Sequence, residues 1–123
     1  MKEPIWVDEV DCRAFHDEML VRNGGLPGIR DQGLLESALH RPRQLFVYGR
    51  PDLFDLAAAY ALGIVKNHPF LDGNRRAGFM AAALFLEANG HRFEAPEEQV
   101  VLFTLRLAAG EVKEREYAAW LKA

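Results

Sequence analysis

A chain of 123 residues, half of them hydrophobic and 27% charged, has material for one packed core and lies outside the regime of disordered chains. A net charge of -3 excludes the basic excess of a general nucleic-acid binder, and a supply of one serine (Ser37), one threonine (Thr104) and one cysteine (Cys12) leaves few candidates for an acyl-enzyme mechanism. The longest uncharged runs, residues 56–65 and 77–86, are about half of the ~20 that a membrane helix requires, and the first residues form no apolar signal-peptide core, so a single cytoplasmic domain over residues 1–123 is expected.

Ala and Leu together number 33 against 12 for Val, Ile and Thr, which predicts an all-α chain. Residues 8–22 carry Val10, Ala14, Phe15, Met19 and Leu20 at helical spacing and stop at Asn23-Gly24-Gly25. After a loop over 24–28, Asp31 caps a short second helix predicted through His40 and ended by Pro42. Residues 43–50 mix β-branched and aromatic side chains without a helical period and read as an extended flap or small β-hairpin. Asp52 and Asp55 form a capping pattern that opens a third helix, and its uncharged middle marks it as buried. A second buried helix is predicted over 75–89, a fifth from Pro96-Glu97-Glu98 to Gly110, and a last short one holding Tyr117, Trp120 and Leu121.

The two buried helices meet at His68-Pro69-Phe70-Leu71-Asp72-Gly73-Asn74-Arg75-Arg76, which is more polar than a connector between core helices needs to be. Pro69 ends one helix, Asp72-Gly73 marks a turn, and Asn74 is a favourable N-cap for the next, which puts Arg75 and Arg76 in its first turn. Two cations there oppose the helix dipole at roughly 0.3 to 1 kcal/mol each unless an anion sits at the helix end. Free N–H groups, the close approach allowed at Gly73 and two arginines together suit a phosphate. Of fifteen basic residues, eleven are arginine, a bias that fits fixed anion contacts. His68 and Asp72 stand at the same mouth: a neutral imidazole can take a proton from a hydroxyl, and a carboxylate can hold the Mg²⁺ that accompanies a nucleotide. Singly, a histidine after a helix is more often a cap and Asp-Gly more often a turn; the density of the combination favours function. Phe70 reads as a structural anchor.

The nine residues His68 to Arg76 resemble the Fic/Doc (Fido) signature H-x-F-x-D/E-G/A-N-x-R. Residues 24–39, the following flap and the alanine-rich helix after the motif are similar to the short death-on-curing (Doc) branch, the toxins of toxin-antitoxin pairs. The resemblance implies a Fido-fold helical domain with a central pair of buried helices and a hairpin flap. It implies that His68 deprotonates the target hydroxyl, that Asp72 binds Mg²⁺, and that Gly73, Asn74, Arg75 and Arg76 form the nucleotide site. In the AMP-transferring branch the position of Arg75 is glycine and a further arginine stands where this chain has Phe79. The Doc branch has lysine at the position of Arg75 and is held to bind ATP reversed, transferring the γ-phosphate.

The implied activity is that of a kinase-like toxin using ATP and Mg²⁺ on a hydroxyl of a translation factor, elongation factor Tu being the family's expected target. Leu45, Phe46 and Tyr48 of the flap would receive the target segment by strand addition. The inhibitory pattern S/T-x-x-x-E-G/N is missing, since Arg41 follows Ser37 and Ala108 follows Thr104 at the acidic position. Inhibition is therefore expected in trans, from an antitoxin seated on the first helix and its neighbours. AMP transfer by the same residues and a catalytically weak binding module are the alternatives; metal-dependent hydrolysis lacks support because His16, His40 and His91 are scattered.

Overall fold

The computed structural model describes residues 2–123. Among these, six helices follow one another: α1 (Glu9–Asn23), α2 (Gln32–Tyr48), α3 (Leu53–Asn67), α4 (Asn74–Ala88), α5 (Glu97–Ala109) and α6 (Glu114–Lys122). The only β pairing among them is one isolated antiparallel bridge between Ile29 and Phe70. No helix among the described residues is long and apolar enough to cross a membrane.

Helix α3 forms the centre. Its Leu56, Ala57, Ala58, Ala59, Tyr60, Ala61, Gly63, Ile64 and Val65 are all buried, as an uncharged helix requires, and α2, α4, α5 and α6 pack around it. Helix α4 is not a second helix of the same kind. It buries Ala77, Gly78, Ala81, Ala82, Phe85 and Leu86, while Phe79, Met80, Ala83 and Leu84 on its other side are only half-buried. Phe79 turns into an aromatic group, 5.8 Å from the Phe93 ring and 6.3 Å from Trp120. The Tyr60 hydroxyl, inside the core, accepts the Val7 N–H at 2.9 Å and so ties the N-terminal segment to α3. Burial pushes this phenol up to about 12.

The predicted flap is helix. Pro42 does not end α2, which runs on through Leu45, Phe46 and Tyr48 to its cap at Gly49. An internal proline removes one backbone hydrogen bond, here the one to the Ala38 carbonyl, and its ring crowds that carbonyl. Tertiary packing outweighs this. Pro42 is itself fully buried with Leu35, Ala38 and Leu39, and Gly63 of α3 lies so close that a Cβ there would sit 3.1 Å from the Ala38 oxygen. Leu45 and Phe46 pack against the core, where Trp6 meets Phe46 edge-on at 5.6 Å. Val47 and Tyr48 are the segment's exposed large hydrophobic side chains, and because the segment is helical to Tyr48 no strand edge exists there to receive a target segment.

The apolar side of α1 is also displaced from expectation. Cys12, His16, Met19 and Leu20 are buried, and Val10 faces solvent at 76% exposure. The stripe at i, i+4, i+7 and i+8 contains a histidine, and its polar partner comes from the loop between α3 and α4. Cys12 is a buried thiol whose desolvation, with Glu9 nearby, pushes it up to about 12 and keeps it protonated.

Candidate active site

Residues 68–73 link the central helix to α4. The His68 N–H still bonds back to the Ile64 carbonyl at 3.1 Å, as a helix cap does, but the residue has φ 49° and ψ 55°. It is the one non-glycine residue with positive φ among those described. Such a backbone costs roughly 1 to 3 kcal/mol and persists only where its surroundings hold it. Pro69 and Phe70 are buried while His68, Leu71 and Asp72 are exposed, so the loop is anchored through its middle and open at its rim.

Phe70 is the anchor. It is 1% exposed and lies under the His16 ring, 3.8 Å between centroids and nearly parallel. His16 Nε2 donates to the Asp72 carbonyl at 2.7 Å, which assigns the proton to that nitrogen because a carbonyl can only accept. The Asn74 side chain closes the loop from below: its Oδ1 accepts the Phe70 N–H at 2.9 Å and its Nδ2 donates to the Phe70 carbonyl at 3.0 Å. The same Nδ2 stands 3.4 Å from His68 Nδ1, a contact too long to fix the tautomer. Asn74 is therefore buried and is the first residue of α4, not its cap; the cap is Gly73. Gly73 is favoured there by its φ of 75°; a Cβ would also meet the Met19 terminal methyl at 2.7 Å, a flexible end that can move aside.

The N-terminus of α4 is left open. No side chain caps it and no acidic residue stands in its first turn, while Arg75 and Arg76 are exposed and take part in none of the ion pairs among the described residues. Three features thus converge: free helix N–H groups, two unpaired guanidinium groups and an αL glycine that admits close approach. Beside them, Asp72 holds its carboxylate with one main-chain N–H on each oxygen, Gly73 to Oδ1 at 2.9 Å and Leu26 to Oδ2 at 3.2 Å. Each oxygen keeps a lone pair free. Among the described residues no group of three or more His, Cys, Asp or Glu could hold a metal. A lone, exposed carboxylate beside an uncapped helix N-terminus fits Mg²⁺, which usually takes one or two carboxylates and completes its shell with phosphates and water.

His68, Asp72, Gly73, Arg75 and Arg76 therefore lie along the α3–α4 link and the first turn of α4, with Asn74 and Phe70 buried beneath it. Leu45, Phe46 and Tyr48 lie on the last turns of α2. Two residues that the sequence reading passed over also reach the loop. One is His16. The other is Arg30, whose Nε donates to the His68 carbonyl at 2.6 Å and whose Nη2 donates to the Asn67 carbonyl at 2.8 Å. His16 had a sequence signal, its place on the buried stripe of α1 between Cys12 and Met19; Arg30, in a loop, had none.

An all-helical chain that presents this nine-residue motif across the junction of a buried helix and an uncapped one is a Fic-type domain. The chain belongs to the Fic/DOC family, whose model matches residues 6–86, in the Doc branch. It is 35% identical over 111 residues to the protein kinase doc of Escherichia phage P1, an alignment covering 89% of this chain and 86% of that protein. It is 44% identical over 75 residues to the toxin Doc of Mycolicibacterium smegmatis, covering 58% of this chain and 57% of that one.

Proposed function

We propose that this chain is a Doc toxin that transfers the γ-phosphate of ATP to a hydroxyl side chain of a translation factor, elongation factor Tu being the first to try, and so stops protein synthesis. The observation that carries the reading is the open N-terminus of α4, with Arg75 and Arg76 unpaired beside the exposed His68 and Asp72. Phosphoryl transfer asks little covalent chemistry of a protein and depends on alignment and charge neutralisation. The helix N–H groups and the two guanidinium groups bind and orient the phosphates. His68, exposed at the start of the link, accepts the proton of the attacking hydroxyl on a ring nitrogen. Asp72 is the residue that would hold Mg²⁺, which when bound neutralises charge on the phosphate oxygens. The hydroxyl comes from the substrate, in keeping with a chain that has only Ser37 and Thr104 to offer.

AMP transfer is the second reading, and Phe79 speaks against it. The position where AMP-transferring relatives are expected to have an arginine is committed to aromatic packing with Phe93 and Trp120. The long side chain of Arg75 likewise occupies the place of the small residue that such an ATP pose needs. Incubation with an acceptor extract and ATP labelled at either the α or the γ position separates the two. Retention of γ label, lost in His68→Ala, is expected; label retained only from the α position would establish AMP transfer. For control in trans, the shallow apolar cleft between α1 and α4, lined by Phe15, Met80 and Leu84, is the proposed seat of an antitoxin segment.

A further inference from the structure

The strain at His68 needs something outside the motif to hold it. Helix α3 ends at Asn67, and His68 at φ 49° stands directly before Pro69, which favours an extended backbone in the preceding residue. What surrounds the residue is the loop between α1 and α2. Its Arg30 and Asp31 N–H groups both donate to the Pro69 carbonyl, at 2.7 and 3.1 Å, and its Gly28 carbonyl accepts the Leu71 N–H at 3.1 Å. Ile29 and Phe70 form the bridge between them. The Arg30 side chain completes the set by gripping the carbonyls of Asn67 and His68, which flank the Cα where the chain turns left-handed.

From this arrangement we infer that Arg30 is a positioning residue for the proposed group transfer: its guanidinium holds the His68 backbone in the left-handed conformation that aims the imidazole at the mouth of α4. The inference rests on the functional reading above for the role of His68, though the grip on the backbone is independent of it. Arg30 is fitted to this task by its planar fork, whose Nε and Nη2 reach two adjacent carbonyls at once; lysine could satisfy one. Charge-assisted bonds to the last carbonyls of a helix are also the stronger kind, and they favour the cationic side chain at that end of the dipole. A residue that only capped α3 would leave the transfer rate alone. A residue that sets the imidazole direction changes it, because a misplacement of about 1 Å in a reacting group can cost on the order of 100-fold.

The test compares the full chain with Arg30→Ala, Arg30→Lys and His68→Ala, using Mg²⁺, γ-labelled ATP and a bacterial extract as acceptor. NMR of the His68 amide and ring signals is recorded on the same variants without nucleotide. For Arg30→Ala the saturating rate is expected to fall on the order of 10- to 100-fold, with the half-saturating ATP concentration changed by less than about twofold. Its His68 signals should shift and broaden while those of α5 and α6 stay in place. Arg30→Lys should lie between Arg30→Ala and wild type in both readouts, and it carries the test if the alanine variant does not fold. An unchanged rate, unmoved His68 signals, or a loss expressed entirely as a greater ATP requirement overturns the inference. Label transfer that persists in His68→Ala defeats the functional reading instead, and the NMR signals then still decide whether Arg30 holds the His68 backbone.

Discussion

Helices α3 and α4 are each fifteen residues long and lie side by side, yet their N-termini are built in opposite ways. At α3, Asp52 accepts the Asp55 N–H at 2.8 Å and Asp55 returns the favour to the Asp52 N–H at 2.9 Å, a complete capping box with an acid in the first turn. At α4 the cap is a glycine, no side chain reaches the free N–H groups, and two arginines occupy the turn where the dipole favours acids. One end is finished by the chain itself. The other is left open, as the proposed phosphate site requires. The difference teaches where stability was available and not taken: the materials of a good helix start stand only some twenty residues upstream of a start that lacks them.

The comparison can be broken most severely at His68. If the α4 end is a reaction site, His68→Ala lowers label transfer by on the order of 100- to 10,000-fold while thermal unfolding shows the fold retained. His68→Gly, which relieves the left-handed backbone, is expected to abolish transfer equally and to raise stability by a few tenths to about 1 kcal/mol in denaturant unfolding. Next in size is the other helix. Asp52→Ala removes the side-chain cap of α3 and is expected to cost about 0.5 to 2 kcal/mol in the same measurement, with ATP binding by calorimetry unchanged.

A smaller and opposite effect belongs to α4. Arg75→Glu places an acid where the dipole favours one, so the free protein gains roughly 0.3 to 1 kcal/mol while ATP affinity falls. A variant that lost both stability and affinity would show that Arg75 has a structural partner. The smallest effect is an acid titration of the α3 cap. Partial burial by itself would raise the Asp52 carboxyl, but the Asp55 N–H and the Lys122 ammonium at 3.5 Å prevail and hold it below the usual carboxylate range. A depressed carboxyl contributes stability that is fully present above its unfolded value and is lost as pH falls through the folded one. Acid unfolding of Asp52→Asn should accordingly lack the portion of the pH dependence that lies below the ordinary aspartate range.

Much of this architecture was legible before any coordinates. The capping residues Asp31 and Asp52, the Gly24 and Gly110 stops and the uncharged middle of α3 are local signals, and each marks its element. The motif from His68 to Arg76 is contiguous and needed no tertiary information. Most of the misreadings come from packing between distant segments, and that at Asn74 from a local hydrogen-bond pair. Pro42 is a helix terminator locally and is overridden by its own burial, by the packing of Ala38 on Gly63 and by the contact of Trp6 with Phe46. The predicted flap disappeared with it. Asn74 reads as a cap by composition, but its amide is used on the Phe70 main chain, four residues back. His16 and Arg30 lie far from the motif in sequence, and only the fold brings the α1 face and the α1–α2 loop against it.

Mass spectrometry of a bacterial extract treated with this chain and Mg²⁺-ATP tests the central claim most directly. The account requires one phosphoryl group on a serine or threonine hydroxyl of a translation factor, absent when His68→Ala replaces the wild type. An adenylyl group on that peptide, or phosphorylation that persists in the His68 variant, would contradict it.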